Sequence, residues 1–161
     1  MIEISTDDLA ALVARAQNTD RRRHNLNIHA SPNDPINRLL NAVEPGSYVR
    51  PHRHPDKVET LVAVAGCFEL LFFDYNGRLS RRSALGGNGA VLIEYSPNTW
   101  HSLIALQSGS VFFEVKAGPY LPVKSDDYLP GWPLEQSSGV PLALDWLHRA
   151  AVGDEFVQPR L

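Results

Sequence analysis

His52 and His54 stand two residues apart, Glu59 follows them, and Gly46 and Gly66 bracket all three, giving the string G-x5-H-x-H-x4-E-x6-G. On extended backbone successive side chains alternate faces, so the two imidazoles project to one side. Pro55 and Asp56 then break the extended run, and a turn there returns the Glu59 carboxylate beside the imidazoles on a neighbouring antiparallel strand. His101 is the expected fourth ligand. Imidazoles with one carboxylate suit a single divalent transition ion (iron, manganese, nickel, cobalt, copper or zinc) and suit calcium or magnesium poorly. An isolated H-x-H is more often a pair of surface histidines, but two glycines and a carboxylate at compatible offsets favour a metal centre. Four ligands leave one or two positions open on a five- or six-coordinate ion, and its formal charge with one glutamate favours an anionic oxygen ligand.

Neighbouring residues extend this reading. Arg50 and Tyr48 share strand parity with the histidines and are the candidate catalytic side chains: Arg50 to hold a carboxylate or phosphate in its fork, Tyr48 to move a proton. The competing readings are an arginine at the rim in water and a packed tyrosine. Arg53, of opposite parity, is expected to face solvent. Arg23, Asn25, Asn27 and His29 alternate onto one face and are the candidate substrate-binding residues, able to cover the site and meet a polar ligand such as a sugar. Alternatively they form a hydrogen-bonded arm across the chain's own surface or a partner's. Trp100 is expected to point away from the ligand face, as packing.

The elements that must position these groups are largely β. Leu9, Leu12, Val13 and Ala16 recur at helical spacing behind Ser5 and Thr6, predicting an amphipathic helix over 6–17 whose positive end suits Asp7 and Asp8. An extended arm follows from Arg23, a turn around Pro32 and Pro35, and a first main strand over 36–43. Seven short segments punctuated by glycine read as strands: 47–54, 59–65, 67–74, 78–85, 90–95, 101–107 and 110–117. Asn76-Gly77 is a tight-turn signal. Prolines at 119, 122, 130, 133 and 141 exclude regular sheet and imply a tail over the surface, anchored by Tyr128 and Trp132, with a short helix over about 142–151. One domain is expected, with helix and arm over 1–35, a barrel over 36–118 and the tail over 119–161.

The 161 residues, 43% hydrophobic, are enough for one real core and too few for two ordinary domains. A net charge of −3 gives no pull toward nucleic acid or an anionic membrane. Cys67 is the only cysteine, which excludes an intrachain disulfide and reads as a buried structural thiol. With no basic, apolar leader at Met1 and no run of membrane-spanning length, the expectation is cytoplasmic. The nucleophile elbow, the phosphate-cradling glycine loop and the paired C-x-x-C motif are all missing, so hydrolase and nucleotide-binding chemistry lack support.

The string around His52 resembles the first cupin motif with every spacing intact, and Ser96-Pro97-Asn98-Thr99-Trp100-His101 resembles the second, P-x-G-x-x-H. Asn98 replaces its glycine, which is tolerable because asparagine enters the left-handed region. Ala105 stands where asparagine is usual. More narrowly, the run Arg23 to His29, Asn37-Arg38-Leu39-Leu40, Glu44 to His52 and Glu114 to Tyr120 resemble the WbuC family of cupin-fold metalloproteins, over about residues 5 to 120. That resemblance implies an all-β fold, a cupin-type antiparallel jelly-roll barrel with an N-terminal helix and arm and an irregular C-terminal tail. It implies that His52, His54, Glu59 and His101 converge inside the barrel, that the chain is a homodimer, and a link to surface-polysaccharide gene clusters. Two functions follow as expectations. One is a metal-dependent enzyme on a small oxygen-rich molecule, saccharide-related on the family context, by isomerisation or epimerisation or by dioxygen chemistry; the other is a non-catalytic metal-dependent binding module.

Overall fold

A computed structural model describes residues 1–158. Helix α1 (Thr6–Gln17) leads into strands β1 (Arg23–Asn27), β2 (Ile36–Val43), β3 (Glu59–Ala65), β4 (Cys67–Phe73), β5 (Leu79–Gly86), β6 (Leu92–Tyr95), β7 (Trp100–Ala105) and β8 (Ser110–Ala117), and helix α2 (Val140–Arg149) follows. The strands form two antiparallel sheets, ordered β1-β2-β8-β3-β6 and β5-β4-β7. This is the expected antiparallel jelly-roll-like β fold, built of two facing sheets whose ladders do not join into one closed barrel. No helix among the described residues is long and apolar enough to cross a membrane.

Alternation decides what each sheet buries. Leu40 and Ala42 of β2 and Val111 of β8 pack under Leu12 and Ala16 of α1, closing the outer face of the five-stranded sheet. Ser5 caps that helix: its side chain accepts from the Asp8 N–H, while the Asp8 carboxylate accepts from the Ser5 N–H at 2.8 Å. The opposite parity of β2 and β8 carries Asn37, Asn41, Phe112, Glu114 and Lys116 toward the second sheet. Between the sheets lie Leu61, Phe68, Leu70, Leu85, Leu103 and Phe112. The three-stranded sheet is apolar on both faces because both are covered. Leu71, Phe73 and Ile104 meet Trp132, Ala143, Leu147 and Phe156 from the C-terminal segment.

Several sequence expectations change. The expected arm at Arg23 is an edge strand, registered against β2 from Arg23↔Val43 to Asn27↔Leu39. Segment 47–54 is extended, but only His52 makes ladder bridges, to His101 and Tyr128; Pro51 has no N–H to give and interrupts it. The tail beyond Gly118 packs on the three-stranded sheet, where Trp132 and α2 join its core; residues 159–161 of that segment lie outside the described residues. Helix α2 starts two residues earlier than expected because Pro141 falls in its first turn, where an N–H is not needed. Cys67 is half-buried rather than buried, its thiol 3.8 Å from Gln107 Oε1.

Two left-handed positions shape the site. Asn98 adopts φ +64, and its N–H donates to the His54 carbonyl at 2.8 Å, tying the turn before β7 to the histidine segment. Gly66 adopts φ +69, and a Cβ there would sit 2.8 Å from Ser110 Cα, so the tight β3–β4 connection requires glycine.

Candidate metal centre and adjoining cavity

Four residues from three places in the chain meet between the sheets. His52 and His54 come from the extended segment, His101 from the start of β7, Glu59 from the start of β3. Reciprocal main-chain bonds hold the first and third together: His52 N–H to His101 O at 3.0 Å and His101 N–H to His52 O at 2.8 Å. The ligating atoms of His52, His54 and His101 all lie within 4.8 Å of one another. Ring centroids of His52 and His101 are 4.5 Å apart.

Tautomers are set by the backbone. His52 Nδ1 lies 2.9 Å from Arg50 O and His101 Nδ1 2.9 Å from Thr99 O. A carbonyl only accepts, so each Nδ1 carries the proton and each Nε2 is left for the centre. Burial pushes His52 well below the usual imidazole range, with His101 and His54 adding to it. Burial likewise lowers His54 to about 4, against the pull of Glu59. Both are therefore neutral near pH 7, the form in which imidazole offers a lone pair. A cluster of this composition fits a divalent transition ion.

Glu59 is at the centre but already engaged. Its Oε2 is 3.2 Å from His101 Nε2 and its Oε1 3.4 Å from His54 Nε2. Tyr95 donates to Oε2 at 2.9 Å and Lys116 to Oε1 at 2.9 Å. Burial alone would raise the carboxyl, but His101, Lys116 and His54 outweigh it and hold Glu59 well below the usual carboxylate range. Lys116 also reaches Glu114 Oε1 at 2.5 Å, and Asn41 donates to Glu114 Oε2 at 2.8 Å. Burial would lower the Lys116 ammonium; Glu114 and Glu59 more than reverse that. The tight grouping is thus three histidines, with Glu59 pinned beside them by Lys116 and Tyr95.

Lys116 is also the border of an open cavity of about 650 Å³. Arg23, Asn25, Asn27 and His29 line it, joined by Asn37 and Asn41 of β2. Arg23 is tied down at both ends of its fork, to Tyr48 O at 2.7 Å and to Glu135 at 2.6 Å. Tyr48 and Arg50 are placed elsewhere, and the parity argument for them fails because 47–54 is not a regular strand. Tyr48 is a core residue whose hydroxyl donates to Pro133 O at 3.1 Å, and burial pushes its phenol upward. Arg50 stacks over Tyr128 at 4.5 Å and lines a separate depression with Arg21 and Glu135. Arg53 lies over the Trp100 ring at 4.5 Å and pairs with Asp127 at 3.2 Å.

Sequence reasoning missed Lys116, Glu114, Tyr95, Asn37 and Asn41. One signal was present: Phe112, Glu114 and Lys116 share a parity with an aromatic that must face a core, so the two charges share that interior.

The sequence profile of DUF6016, described as a domain of unknown function, matches residues 4–85, just over half of the chain, which therefore belongs to that family. No curated protein matches it. Among solved structures it is similar to CapF crystallised with the inhibitor 3-isopropenyl-tropolone, at TM-score 0.55 and 19% identity over 65% of this chain and 30% of that one. It is similar to a variant oxalate decarboxylase of Bacillus subtilis at TM-score 0.50 and 17% identity, over 77% of this chain and 32% of that one. A cupin 2 domain-containing protein of Halorhodospira halophila aligns at TM-score 0.48 and 20% identity, over 65% and 72% of the two chains. The chain thus spans about a third of the CapF and decarboxylase chains. What the CapF and decarboxylase likenesses establish is the fold alone.

Proposed function

We propose that this member of the DUF6016 family is a divalent-metal cupin enzyme acting on a small oxygen-rich molecule, by isomerisation or epimerisation or by dioxygen chemistry. The observation that carries the reading is the convergence of three ligating imidazoles within 4.8 Å, two of them held neutral by burial and two aimed by main-chain carbonyls. A bound ion would supply Lewis-acid stabilisation of a developing oxyanion. The chain's own groups then have distinct tasks. His52, His54 and His101 hold the ion, with Glu59 as the fourth donor. Lys116 and Tyr95 orient the Glu59 carboxylate through the bonds they already make. Arg23, Asn25, Asn27 and His29 form part of the wall that receives the substrate.

The resemblance of Glu44 to His52 and of Glu114 to Tyr120 to the WbuC family supports a saccharide-related substrate and a homodimeric state. The net charge of −3 supports a small-molecule partner rather than nucleic acid.

The test is elemental analysis of protein purified without added metal, beside a His52→Ala, His101→Ala double variant. The wild type is expected to carry close to one transition ion per chain and the variant almost none. Unchanged metal content in the variant would remove the assigned site. Metal-loaded protein that turns over nothing in panels of sugars and hydroxy acids, with and without dioxygen, would leave a binding module in place of the enzyme.

A further inference from the structure

The cavity beside the centre contains a polar group that the fold leaves unserved. Asn37 is 1% exposed, and neither Nδ2 nor Oδ1 of its amide has a hydrogen-bond partner among the described residues. Burying an amide without partners is costly, and such groups are rare in folded proteins. A fold that keeps one on the wall of a 650 Å³ cavity has a reason outside its own stability.

The rest of the wall is of the same chemistry. Asn25 and Asn41 are directly opposed across β1 and β2, Asn37 is opposed by Lys116 across β2 and β8, and Asn27 follows Asn25 at the same parity. Asn25 Nδ2 donates to Asn27 Oδ1 at 2.7 Å and Asn41 Nδ2 to Glu114 at 2.8 Å. Those bonds do not use Asn25 Oδ1, Asn27 Nδ2 or Asn41 Oδ1. The surface therefore alternates donors and acceptors, and it also includes the apolar Leu39 and the half-exposed ring of Tyr120.

Charge separates the possible ligands. Arg21 and Arg23 are both paired with Glu135, at 3.0 and 2.6 Å, and Lys116 is paired with Glu59 and Glu114. An anionic ligand would have to pull one of these cations from its carboxylate, and an amine would find no free carboxylate on this wall among the described residues. A neutral hydroxyl both donates and accepts, as an amide does, and a ring of hydroxyls answers several amides at once. The volume lies in the range of small-molecule sites.

We propose that the Asn25, Asn27, Asn37 and Asn41 wall is a subsite for a neutral cyclic polyol, such as a hexopyranoside, with Asn37 as the buried residue that decides specificity. The assignment rests on the metal-centre reading only for its orientation, since Lys116 joins the wall to Glu59. Without a ligand the Asn37 amide has no protein partner among the described residues; in the complex a vicinal hydroxyl pair supplies both its missing partners. A ligand lacking that pair leaves the amide unserved and is rejected.

Ligand-observed NMR and calorimetry on the full chain decide the matter, with methyl glycosides of glucose, galactose and mannose as probes and glucuronate and inorganic phosphate as anionic controls. At least one methyl glycoside is expected to bind, and tighter than either control. Asn37→Leu should weaken it at least tenfold while leaving the thermal midpoint of the free protein unchanged or higher. Should Asn37→Leu not fold, the exposed Asn27→Ala reads the same wall and should weaken binding measurably. Binding is expected to persist in chelator-treated protein, so failure of the metal reading would leave this result standing. No binding by any neutral glycoside, preference for the anions, or undiminished binding by both variants would overturn the proposal.

Discussion

Replacing Lys116 by methionine separates the electrostatics of this centre from its packing. The ammonium bridges two buried carboxylates, 2.9 Å from Glu59 and 2.5 Å from Glu114, with side-chain exposures of 13, 3 and 12% for the three groups. Methionine keeps most of the aliphatic stem and removes the only cation the two share among the described residues. Taking one partner from a buried pair strands the other charge, at a cost of about 3–5 kcal/mol. Because all three side chains are largely out of water, screening reduces this little. Tyr95 and Asn41 still donate to the two carboxylates, at 2.9 and 2.8 Å, so the lower end, about 3 kcal/mol, is the expected loss in metal-free protein. A divalent ion should recover part of it. With Lys116 gone, Glu59 is free to turn fully toward the imidazoles, and the ion replaces the missing positive charge. Metal stabilises by RT ln(1 + [M]/Kd), so a tenfold gain in affinity adds about 1.4 kcal/mol to the variant's response over the wild type's. The assay is urea unfolding of both proteins in chelator and in excess zinc, with midpoints compared at unchanged m-value. A loss below about 1 kcal/mol in chelator, or equal zinc responses, would refute the claim that Lys116 restrains Glu59 electrostatically.

Other expected outcomes concern the supports of the fold. Arg82 donates to Ala150 O at 2.8 Å and Leu147 O at 3.0 Å at the end of α2 while pairing with Glu69, so Arg82→Ala should cost about 2–3 kcal/mol and raise amide exchange in α2 before elsewhere. Glu44, 1% exposed, accepts from the Gly109 N–H at 2.8 Å and from the Ser108 hydroxyl at 2.6 Å; Glu44→Ala should cost about 2–4 kcal/mol by denaturation, with Glu44→Gln recovering part. The Ser5 side chain and backbone hold the Asp8 carboxyl below its usual range. A lowered folded value means stabilisation that is present above the unfolded carboxylate range and lost as pH falls through the folded value, so protection of α1 amides should drop in that acid window. Ser5→Ala loses the hydroxyl but keeps the backbone N–H, so it should shrink the step, and a pH-independent α1 in the wild type would contradict it.

The histidines of the candidate centre were readable because their spacing is a local statement. His52 and His54 at two-residue separation share a face on any extended backbone, and Asn98 at φ +64 shows how a turn normally written with glycine still forms before His101. Tyr48 and Arg50 were misread by the same logic. Their parity holds only on a regular strand, and Pro51 leaves that stretch bridged at His52 alone. The arm at Arg23 reads as alternating from its residues, but its pairing with β2 depends on main-chain partners that no side-chain pattern names.

Periodicity and composition, acting within a few residues, determined the helix at Thr6–Gln17, most strand spans and the shared face of the histidine pair, because each follows from which face a side chain takes. Tertiary structure alone decided that Lys116 pins Glu59, that Asn37 is buried with no hydrogen-bond partner among the described residues, and that α2 completes the core. These facts depend on the register of strands far apart in the chain, and strand register is set by the packing of whole sheets rather than by neighbouring residues.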